Sequence, residues 1–172
     1  MKKIFVSLCV ALVGLCASAQ EKGDMALGLN LGAAPCLESG VNLTNFGIGA
    51  KFQYNVTNPL RLEADVDYWF KNKGMDVFDV TANVHYLFNV GSKVKVYPLV
   101  GIGYARLKAT ADFDFEGEDF SVSASEGKFL VNAGVGIECP VSEKLSIGAE
   151  VKYQYIKYFS RLPITIGITY KF

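Results

Sequence analysis

Apolar side chains alternate with polar or small ones along eight segments of this sequence. In the last segment, Leu162 to Phe172, every second residue is apolar, and the residues between are Pro, Thr, Gly, Thr and Lys. Because successive side chains of a strand point to opposite faces, the alternation predicts eight β-strands with one apolar face each. The other segments begin at Met25, Phe46, Leu60, Phe78, Val94, Val131 and Leu145. Short polar connections such as residues 55–59 and 139–144 predict an all-β, antiparallel, up-and-down architecture.

The position of the glycines indicates which face is the inside. A soluble sandwich or lipocalin-like barrel buries its apolar face, whereas a transmembrane barrel turns that face to lipid. Ten of the 17 glycines lie on the polar faces of the predicted strands: Gly28, Gly32, Gly47, Gly49, Gly101, Gly103, Gly134, Gly136, Gly148 and Gly167. Glycine weakens a strand, but the concave wall of a narrow barrel needs small residues. The polar face is therefore predicted to line the inside.

Aromatic residues on the apolar face cluster at the strand ends and leave aliphatic residues between them. One set lies towards the short turns: Tyr54, Tyr86, Phe88, Tyr170 and Phe172. The other lies towards the long connections: Phe46, Tyr68, Phe70, Phe78, Tyr104, Phe129, Tyr153 and Tyr155. Two aromatic girdles around an aliphatic band are typical of membrane interfaces, and segments of about 9–12 residues suit tilted membrane strands. We therefore expect an eight-stranded transmembrane β-barrel.

The N-terminal residues predict export. Residues 1–19 combine two lysines at the start, a short apolar run and an Ala-Ser-Ala ending, which is typical of a cleaved secretory signal peptide. A lipoprotein signal is the alternative, but the bulky Leu15 precedes Cys16. Residues 20–172 then form one barrel domain with a formal charge of about −2, and we expect no nucleic-acid partner and no transmembrane helix.

The signal peptide, the eight strands and the closing "ITIGITYKF" together resemble the small outer-membrane β-barrel family of OmpX and OmpA type. The resemblance covers the whole mature chain. It implies a multi-pass protein of the cell outer membrane, with the N and C termini on the periplasmic side. It also implies contact with outer-membrane lipid and lipopolysaccharide, a monomeric state, and a C-terminal signal that the outer-membrane assembly machinery recognises. The residues of that insertion signal are Ile168, Tyr170 and Phe172.

The polar faces carry charged residues of both signs. A barrel of eight strands has room inside only for side chains, so we expect these residues to pair as a plugged polar network. The predicted network consists of Lys51, Arg61, Glu63, Asp65, Asp67, Asp79, His85, Lys95, Glu138, Glu150 and Lys152. A small porin or channel for ions or small solutes would use the same residues and stays open as an alternative.

Catalysis requires a base beside a nucleophile, and the sequence offers little for it. His85 is the only histidine, is predicted to point into the lumen near the short turns, and has no serine beside it. A lipid-modifying barrel enzyme is therefore the less favoured alternative, and no catalytic residue or cofactor is predicted. Asp112, Asp114, Glu116 and Gly117 resemble the start of a calcium loop, but its twelfth position is Ser123, so no metal site is predicted.

The longest connection, residues 108–128, is predicted to continue the fifth and sixth strands as a hairpin beyond the membrane. Its exposed edge could pair with an extracellular protein, which favours adhesion or surface recognition as the function. The candidate contact residues are Phe113, Phe115, Glu116, Glu118, Asp119 and Phe120. Cys36 and Cys139 are predicted to lie at opposite ends of the barrel, too far apart for a disulfide.

Overall fold

The computed structural model describes residues 22–38, 40, 42–90, 94–115, 118–157 and 159–172, and it describes side chains within these ranges except at 111–115 and 118–121. The predicted signal peptide lies outside the described residues. The strands are β1 (Met25–Pro35), β2 (Thr44–Asn55), β3 (Leu60–Asn72), β4 (Met75–Tyr86), β5 (Phe88–Val90), β6 (Val94–Phe115), β7 (Glu118–Pro140), β8 (Leu145–Ile156), β9 (Phe159–Arg161) and β10 (Ile164–Lys171). Among the described residues, no helix is long and apolar enough to cross a membrane.

The ten strand segments form a closed, eight-stranded, antiparallel barrel, because β5 continues β4 and β9 leads into β10. Neighbouring strands pair in chain order, and β10 closes the ring by pairing with both β8 and β1. At the seam, Leu29 of β1 lies opposite Ile168 of β10. Closure leaves the barrel without a sheet edge, as a membrane barrel requires. The predicted fold class is confirmed.

The strands are apolar outside and polar inside, as the glycines predicted. Leu29 on the outer face is 63% exposed, whereas Arg61 on the inner face is 0% exposed. Each predicted girdle aromatic except Tyr54, which is partly buried, presents a largely exposed side chain on the outer face. An added Cβ at Gly49 would overlap the carboxylate of Asp67 inside the barrel. The inner wall is therefore as crowded as predicted.

The β6–β7 hairpin is the largest feature outside the barrel wall. Its two strands remain paired from Lys95 opposite Glu138 to Phe115 opposite Glu118. The region predicted as the longest connection is thus mostly paired strand, which agrees with the predicted hairpin. We call the end of the barrel that carries it the hairpin rim, and the opposite end, with the turns 56–59 and 141–144, the short-turn rim.

Two prolines inside the barrel wall coincide with interruptions in the strands. On one side of Pro98, Leu99 pairs with His85 of β4. On the other side, Val96 pairs with Phe88 of β5. The proline therefore faces the break between β4 and β5, where its missing N–H leaves the ladder incomplete. Pro163 lies in the break between β9 and β10, and its carbonyl accepts a hydrogen bond from the Lys152 N–H.

Candidate functional site

The centre of the lumen holds a compact cluster of opposite charges. Lys51 of β2 donates to Glu150 of β8 over 2.7 Å, and its ammonium group lies 3.5 Å from Glu63 of β3. Lys152 donates to Asp65 over 2.9 Å and lies 3.5 Å from Glu150. Two ammonium groups thus lie among three carboxylates from strands on different sides of the barrel. All five side chains are buried.

These three carboxylates also bring oxygen atoms within 4.8 Å of one another, a spacing that could hold a metal ion. The two lysines already supply positive charge to the same oxygens, with Lys51 next to Glu63 and Glu150 and Lys152 next to Asp65 and Glu150. The cluster is therefore an internally compensated ion-pair network rather than an open ligand set.

Towards the short-turn rim, Arg61 is the main cation. Its guanidinium group donates to Glu138 over 2.7 Å and lies 5.5 Å from the centre of the Tyr97 ring. Tyr97 stacks on the imidazole of His85 with a centroid distance of 4.7 Å and donates its hydroxyl to Glu150 over 2.9 Å. Tyr97 thus connects the Arg61–Glu138 ion pair to the central cluster that contains Glu150.

His85 is fully buried in this layer. Its Nε2 lies 3.3 Å from Glu63 Oε1, close enough for an ion pair, although the geometry is not that of a hydrogen bond. The ring is held between the Tyr97 phenol and the carboxylate of Glu63, in the half of the lumen nearer the short turns.

Towards the hairpin rim, Asp79 accepts two donors on a single oxygen. Trp69 Nε1 donates to Asp79 Oδ2 over 2.9 Å, and Arg161 donates to the same oxygen. Arg161 also donates to Gln154 over 2.7 Å and lies 5.0 Å from the centre of the Trp69 ring. Asp67, one of the predicted lumen residues, is buried beside Asp79 on the paired strand.

Arg161 was not among the predicted lumen residues. It lies in β9, where three residues are too few to show a period, and Pro163 follows it. Tyr97 was also missed as a polar partner, because an aromatic residue at an inward position reads as apolar. In the sequence, the only local indication for Arg161 is that a long cationic side chain lies between two segments predicted as strands.

Buried apolar side chains form a cluster towards each end of the polar lumen. At the hairpin rim, a buried cluster consists of Ala34, Trp69, Val77, Ala105, Leu130 and Ile156, with Leu107 and Phe159 packed against it. At the short-turn rim, Leu87, Tyr97 and Leu99 form a second buried cluster. We call these the hairpin-side stopper and the short-turn stopper. Polar side chains lie beside the second cluster, since Arg61 packs on the Tyr97 ring and Lys95 is one inward position nearer the short turns.

Among the described residues, the buried charges nearly balance. Six carboxylates and five Lys or Arg side chains are buried: Glu63, Asp65, Asp67, Asp79, Glu138 and Glu150 against Lys51, Arg61, Lys95, Lys152 and Arg161. Some buried polar atoms have no hydrogen-bond partner within the described part of the chain, including Lys95 Nζ and both amide atoms of Asn132. Such groups are satisfied by ordered water in a polar interior.

The candidate contact residues fall at the tip of the β6–β7 hairpin. The backbone places Phe113 opposite Phe120 and Phe115 opposite Glu118, with Asp119 opposite Asp114. Their side chains, and the whole of Glu116, lie outside the described part of the structure. Below the tip, β8 pairs with β7 only from Leu130 onwards, so no described strand covers the β7 edge over 118–129.

The predicted insertion-signal residues lie on the outer face of the closing seam. Ile168 pairs with Leu29 and Tyr170 with Leu27, and the Phe172 N–H donates to the Met25 carbonyl over 3.1 Å. The aromatic side chain of Phe172 is 60% exposed at the short-turn rim.

Comparison with known proteins gives a consistent result. The family model described as the outer membrane protein beta-barrel domain matches residues 5–172. The crystal structure of Neisserial surface protein A is similar, with a TM-score of 0.71 and 19% identity over 86% of this chain and 97% of that one. Ail, the attachment invasion locus protein of Yersinia pestis, gives a TM-score of 0.61 at 18% identity over 88% of this chain and 99% of its own.

The N-terminal β-barrel domain of Pseudomonas aeruginosa OprF gives a TM-score of 0.62 at 14% identity, covering 89% of this chain and 100% of that one. At these identities the solved structures show a shared fold. No curated protein matches the sequence.

Proposed function

We propose that this chain, which belongs to the outer membrane protein beta-barrel domain family, is a closed, non-conducting barrel that presents its β6–β7 hairpin to partners outside the cell. Residues 1–19 would direct export and be removed. Both ends of the mature chain and the short-turn rim would face the periplasm, and the hairpin would face outwards. The apolar outer surface with its two aromatic girdles supports residence in the outer membrane.

The closed-barrel proposal rests on the order of apolar clusters and ion-paired side chains along the axis of the lumen. A buried apolar cluster lies towards each end, ion-paired side chains fill the space between the two clusters, and the Arg61–Glu138 pair lies beside the short-turn stopper. An ion that enters would have to displace charged groups from their partners inside a poorly hydrated interior, which is costly. The filled lumen favours a structural or surface-binding role over transport.

Conductance in planar bilayers tests this proposal. The protein, refolded in detergent and checked for heat-modifiable gel mobility, is expected to give no discrete current steps. A refolded control porin in the same bilayers shows that the assay detects channels. Reproducible steps from the correctly folded protein would overturn the closed barrel and establish the second candidate, a narrow channel.

That second candidate is favoured by one specific observation. Lys95 Nζ and the amide of Asn132 have no hydrogen-bond partner in the described part of the lumen, so water must reach them. A chain of such waters could carry small ions past the paired charges. Asn132→Leu would then reduce the current, whereas in the closed barrel it changes only stability.

The surface-binding proposal rests on the hairpin. The β7 edge that no described strand covers can accept an extended segment of a partner protein by strand addition. Phe113, Phe115, Glu116, Glu118, Asp119 and Phe120 at the tip would then supply side-chain contacts. Ail, one of the structural neighbours, has been crystallised with the heparin analogue sucrose octasulfate, which supports an outward binding surface on barrels of this shape.

Shortening the hairpin separates binding from folding. Thr110 pairs with Ser123, so residues 111–122 can be replaced by a two-residue turn while the hydrogen bond from the Thr110 N–H to the Gly74 carbonyl is kept. The shortened protein should keep its heat-modifiable mobility and lose adhesion of expressing cells to host-cell or matrix surfaces. Equal adhesion by both forms would contradict the proposal.

We also propose that the barrel has no catalytic role and that Ile168, Tyr170 and Phe172 direct its assembly as a monomer. His85 lies in the half of the lumen away from the hairpin, where an outer-leaflet substrate would not reach it. Altered lipid A in cells that express the wild type but not His85→Ala would contradict the first point. Phe172→Ala should slow assembly by the outer-membrane machinery in cells while leaving detergent refolding unchanged.

A further inference from the structure

A hollow opens on the inner face of the β6–β7 hairpin, beyond the hairpin-side stopper. It has a volume of about 300 Å³, and its apolar lining comes from Met75, Leu107, Ala109, Ala124 and Phe159. Leu107 and Phe159 pack against the stopper, so the floor of the hollow is apolar. A concave apolar site of this size is large enough to enclose an amino-acid side chain.

Two alanines make room in the hollow. Ala109 of β6 pairs with Ala124 of β7. Each lies an even number of positions from a buried residue of its own strand, Ala105 in β6 and Leu130 in β7, so both methyl groups are on the inner face. A larger side chain at either position would fill the space that the two methyl groups leave.

The hollow lies beside the uncovered edge of β7. β8 pairs with β7 as far as Ile156 opposite Leu130, and no described strand covers the edge over 118–129. An uncovered strand presents a row of backbone N–H and C=O groups. A strand added there would lie about 4.8 Å from β7, and its side chain opposite Ala124 would point into the hollow. The edge and the hollow therefore form one surface.

The charged residues that line the hollow are two lysines and one glutamate, namely Lys128, Lys157 and Glu126. Lys128 Nζ lies 3.2 Å from Glu126 Oε1, and Lys157 follows the last residue of β8. Lys128 is four positions nearer the barrel than Ala124 and shares its face. The excess of positive charge at this end of the hollow favours an acidic side chain opposite Lys128.

On the basis of the surface-binding function proposed above, we propose that the partner contributes an extended protein segment that pairs antiparallel with β7. It places an apolar side chain in the hollow opposite Ala124 and an acidic side chain opposite Lys128. In an antiparallel pair, the acidic residue precedes the apolar one by four positions. A small amphipathic acid could fill the hollow but would leave the N–H and C=O groups of the edge unpaired, which favours a protein segment.

A synthetic peptide tests the site on the refolded protein in detergent. The probe is a fluorescent eight-residue threonine peptide that begins with aspartate and has leucine at its fifth position, and its anisotropy reports binding. Replacing the leucine by serine should weaken binding about tenfold, because the burial of an apolar side chain is lost. N-methylation of the peptide backbone should abolish binding, since it removes the donors to the β7 edge.

Ala109→Phe fills the hollow without changing β7 and should weaken peptide binding about tenfold. Thr110→Phe is the matched control, because the next residue of the same strand directs its side chain to the other face. This control should bind the peptide as the wild type does. Both variants must retain heat-modifiable mobility.

Lys128→Gln should weaken binding of the aspartate peptide about threefold, as expected for the loss of one partly exposed ion pair. An asparagine peptide should bind the wild type and Lys128→Gln equally. Lys108→Gln is the control for charge, since Lys108 is exposed on the outer face of the same hairpin. It should leave the affinity for the aspartate peptide unchanged.

Three results would overturn the proposal: equal affinity for the leucine and serine peptides, unchanged affinity in Ala109→Phe, or unimpaired binding of the N-methylated peptide. Competition by dodecanoate together with that last result would assign the hollow to an amphipathic acid instead of a protein segment.

Adhesion of expressing cells separates this site from the proposed function. Unchanged adhesion by Ala109→Phe, together with reduced adhesion by the shortened hairpin, would overturn the hollow as the partner's site and leave the surface-binding function standing. Equal adhesion by the wild type and the shortened protein would contradict the surface-binding function. The peptide site would then still stand if the leucine peptide binds and Ala109→Phe weakens that binding.

Discussion

Lys152 Nζ lies 2.9 Å from Asp65 Oδ2, and both residues are buried. The two residues come from β8 and β3, on different sides of the barrel, so the contact bridges the lumen. A buried ion pair is stable only while both partners are present, because each charge alone would face a large desolvation penalty. The pair therefore holds opposite walls of the barrel in a fixed arrangement.

Replacing Lys152 by Met should destabilise the barrel strongly. Asp65 would lose its cation at 2.9 Å, and Glu150 would lose the more distant of its two lysines. Breaking one side of a buried pair costs about 3–5 kcal/mol. Urea unfolding in lipid vesicles, followed by tryptophan fluorescence, measures the loss. Adding Asp65→Asn to Lys152→Met should recover part of the lost stability, because one uncompensated charge is removed.

Lys144→Met is the control for this experiment, since Lys144 is exposed at the short-turn rim. It should change the free energy of unfolding by less than about 0.5 kcal/mol. If Lys152→Met were equally mild, the ion pairs would contribute nothing to the barrel, and the lumen would have to be hydrated.

The wall of the barrel could be predicted from the sequence, and the contacts across the lumen could not. Alternation and inward glycines are local signals, so they indicate strands and faces without any knowledge of pairing. The partners of Asp79 illustrate the limit: Trp69 comes from the neighbouring strand, but Arg161 is 82 residues away. Local patterns carry no information about which inward side chains meet.

The stoppers leave a sequence signal that alternation alone conceals. Where the lumen closes, an inward position is apolar, so three apolar residues follow one another: Tyr68-Trp69-Phe70, Tyr86-Leu87-Phe88 and Phe129-Leu130-Val131. Each triplet lies at or near an end of the part of its strand that forms the barrel wall; in β7 that part begins at Leu130, where the pairing with β8 starts. An interruption of the alternation at these ends is therefore informative about closure of the lumen.

Gly49→Val should prevent normal packing of the inner wall. A Cβ at this position would overlap Asp67 Oδ1 and lie 2.7 Å from Asn30 Oδ1, and both of these side chains are buried. Overpacking of this kind costs about 1–3 kcal/mol. We expect a lower yield of heat-modifiable barrel and a lower urea midpoint.

Ala50→Val provides the matched control on the next residue, whose side chain faces lipid. The added methyl groups extend the apolar band and should leave the urea midpoint unchanged. A similar loss in both variants would mean that strand β2 does not have the inward and outward faces described above.

Cys36 and Cys139 should not form an intramolecular disulfide. Cys36 forms an isolated backbone β-bridge with Arg161 at the hairpin rim, and Cys139 pairs with Ile147 of β8 near the short-turn rim. Disulfides need Cα atoms within about 7 Å, and a membrane strand of this length separates the rims by much more. Oxidation with copper phenanthroline should therefore produce only disulfide-linked dimers of two molecules. The Cys36→Ser variant should not form these dimers. A monomer with a faster, reductant-sensitive mobility would contradict the topology.

The hairpin-side stopper should control access to the lumen from outside. Thr81 is a buried inward residue of β4, deeper in the barrel than Val77 of the stopper. In a background with Cys36 and Cys139 replaced by serine, Thr81→Cys should react slowly with a charged methanethiosulfonate reagent added to whole cells. Trp69→Ala removes the largest stopper side chain and should raise that rate about tenfold, since it opens a cavity large enough for water.

Val66→Ala is the control, because Val66 faces lipid on the same strand as Trp69 and its truncation opens nothing in the lumen. Its labelling rate should equal that of Thr81→Cys alone. Heat-modifiable mobility of every variant excludes labelling of unfolded protein. Fast labelling of Thr81→Cys with Trp69 in place would mean that the stopper does not seal the hairpin rim, and the narrow channel would become the better account of the barrel.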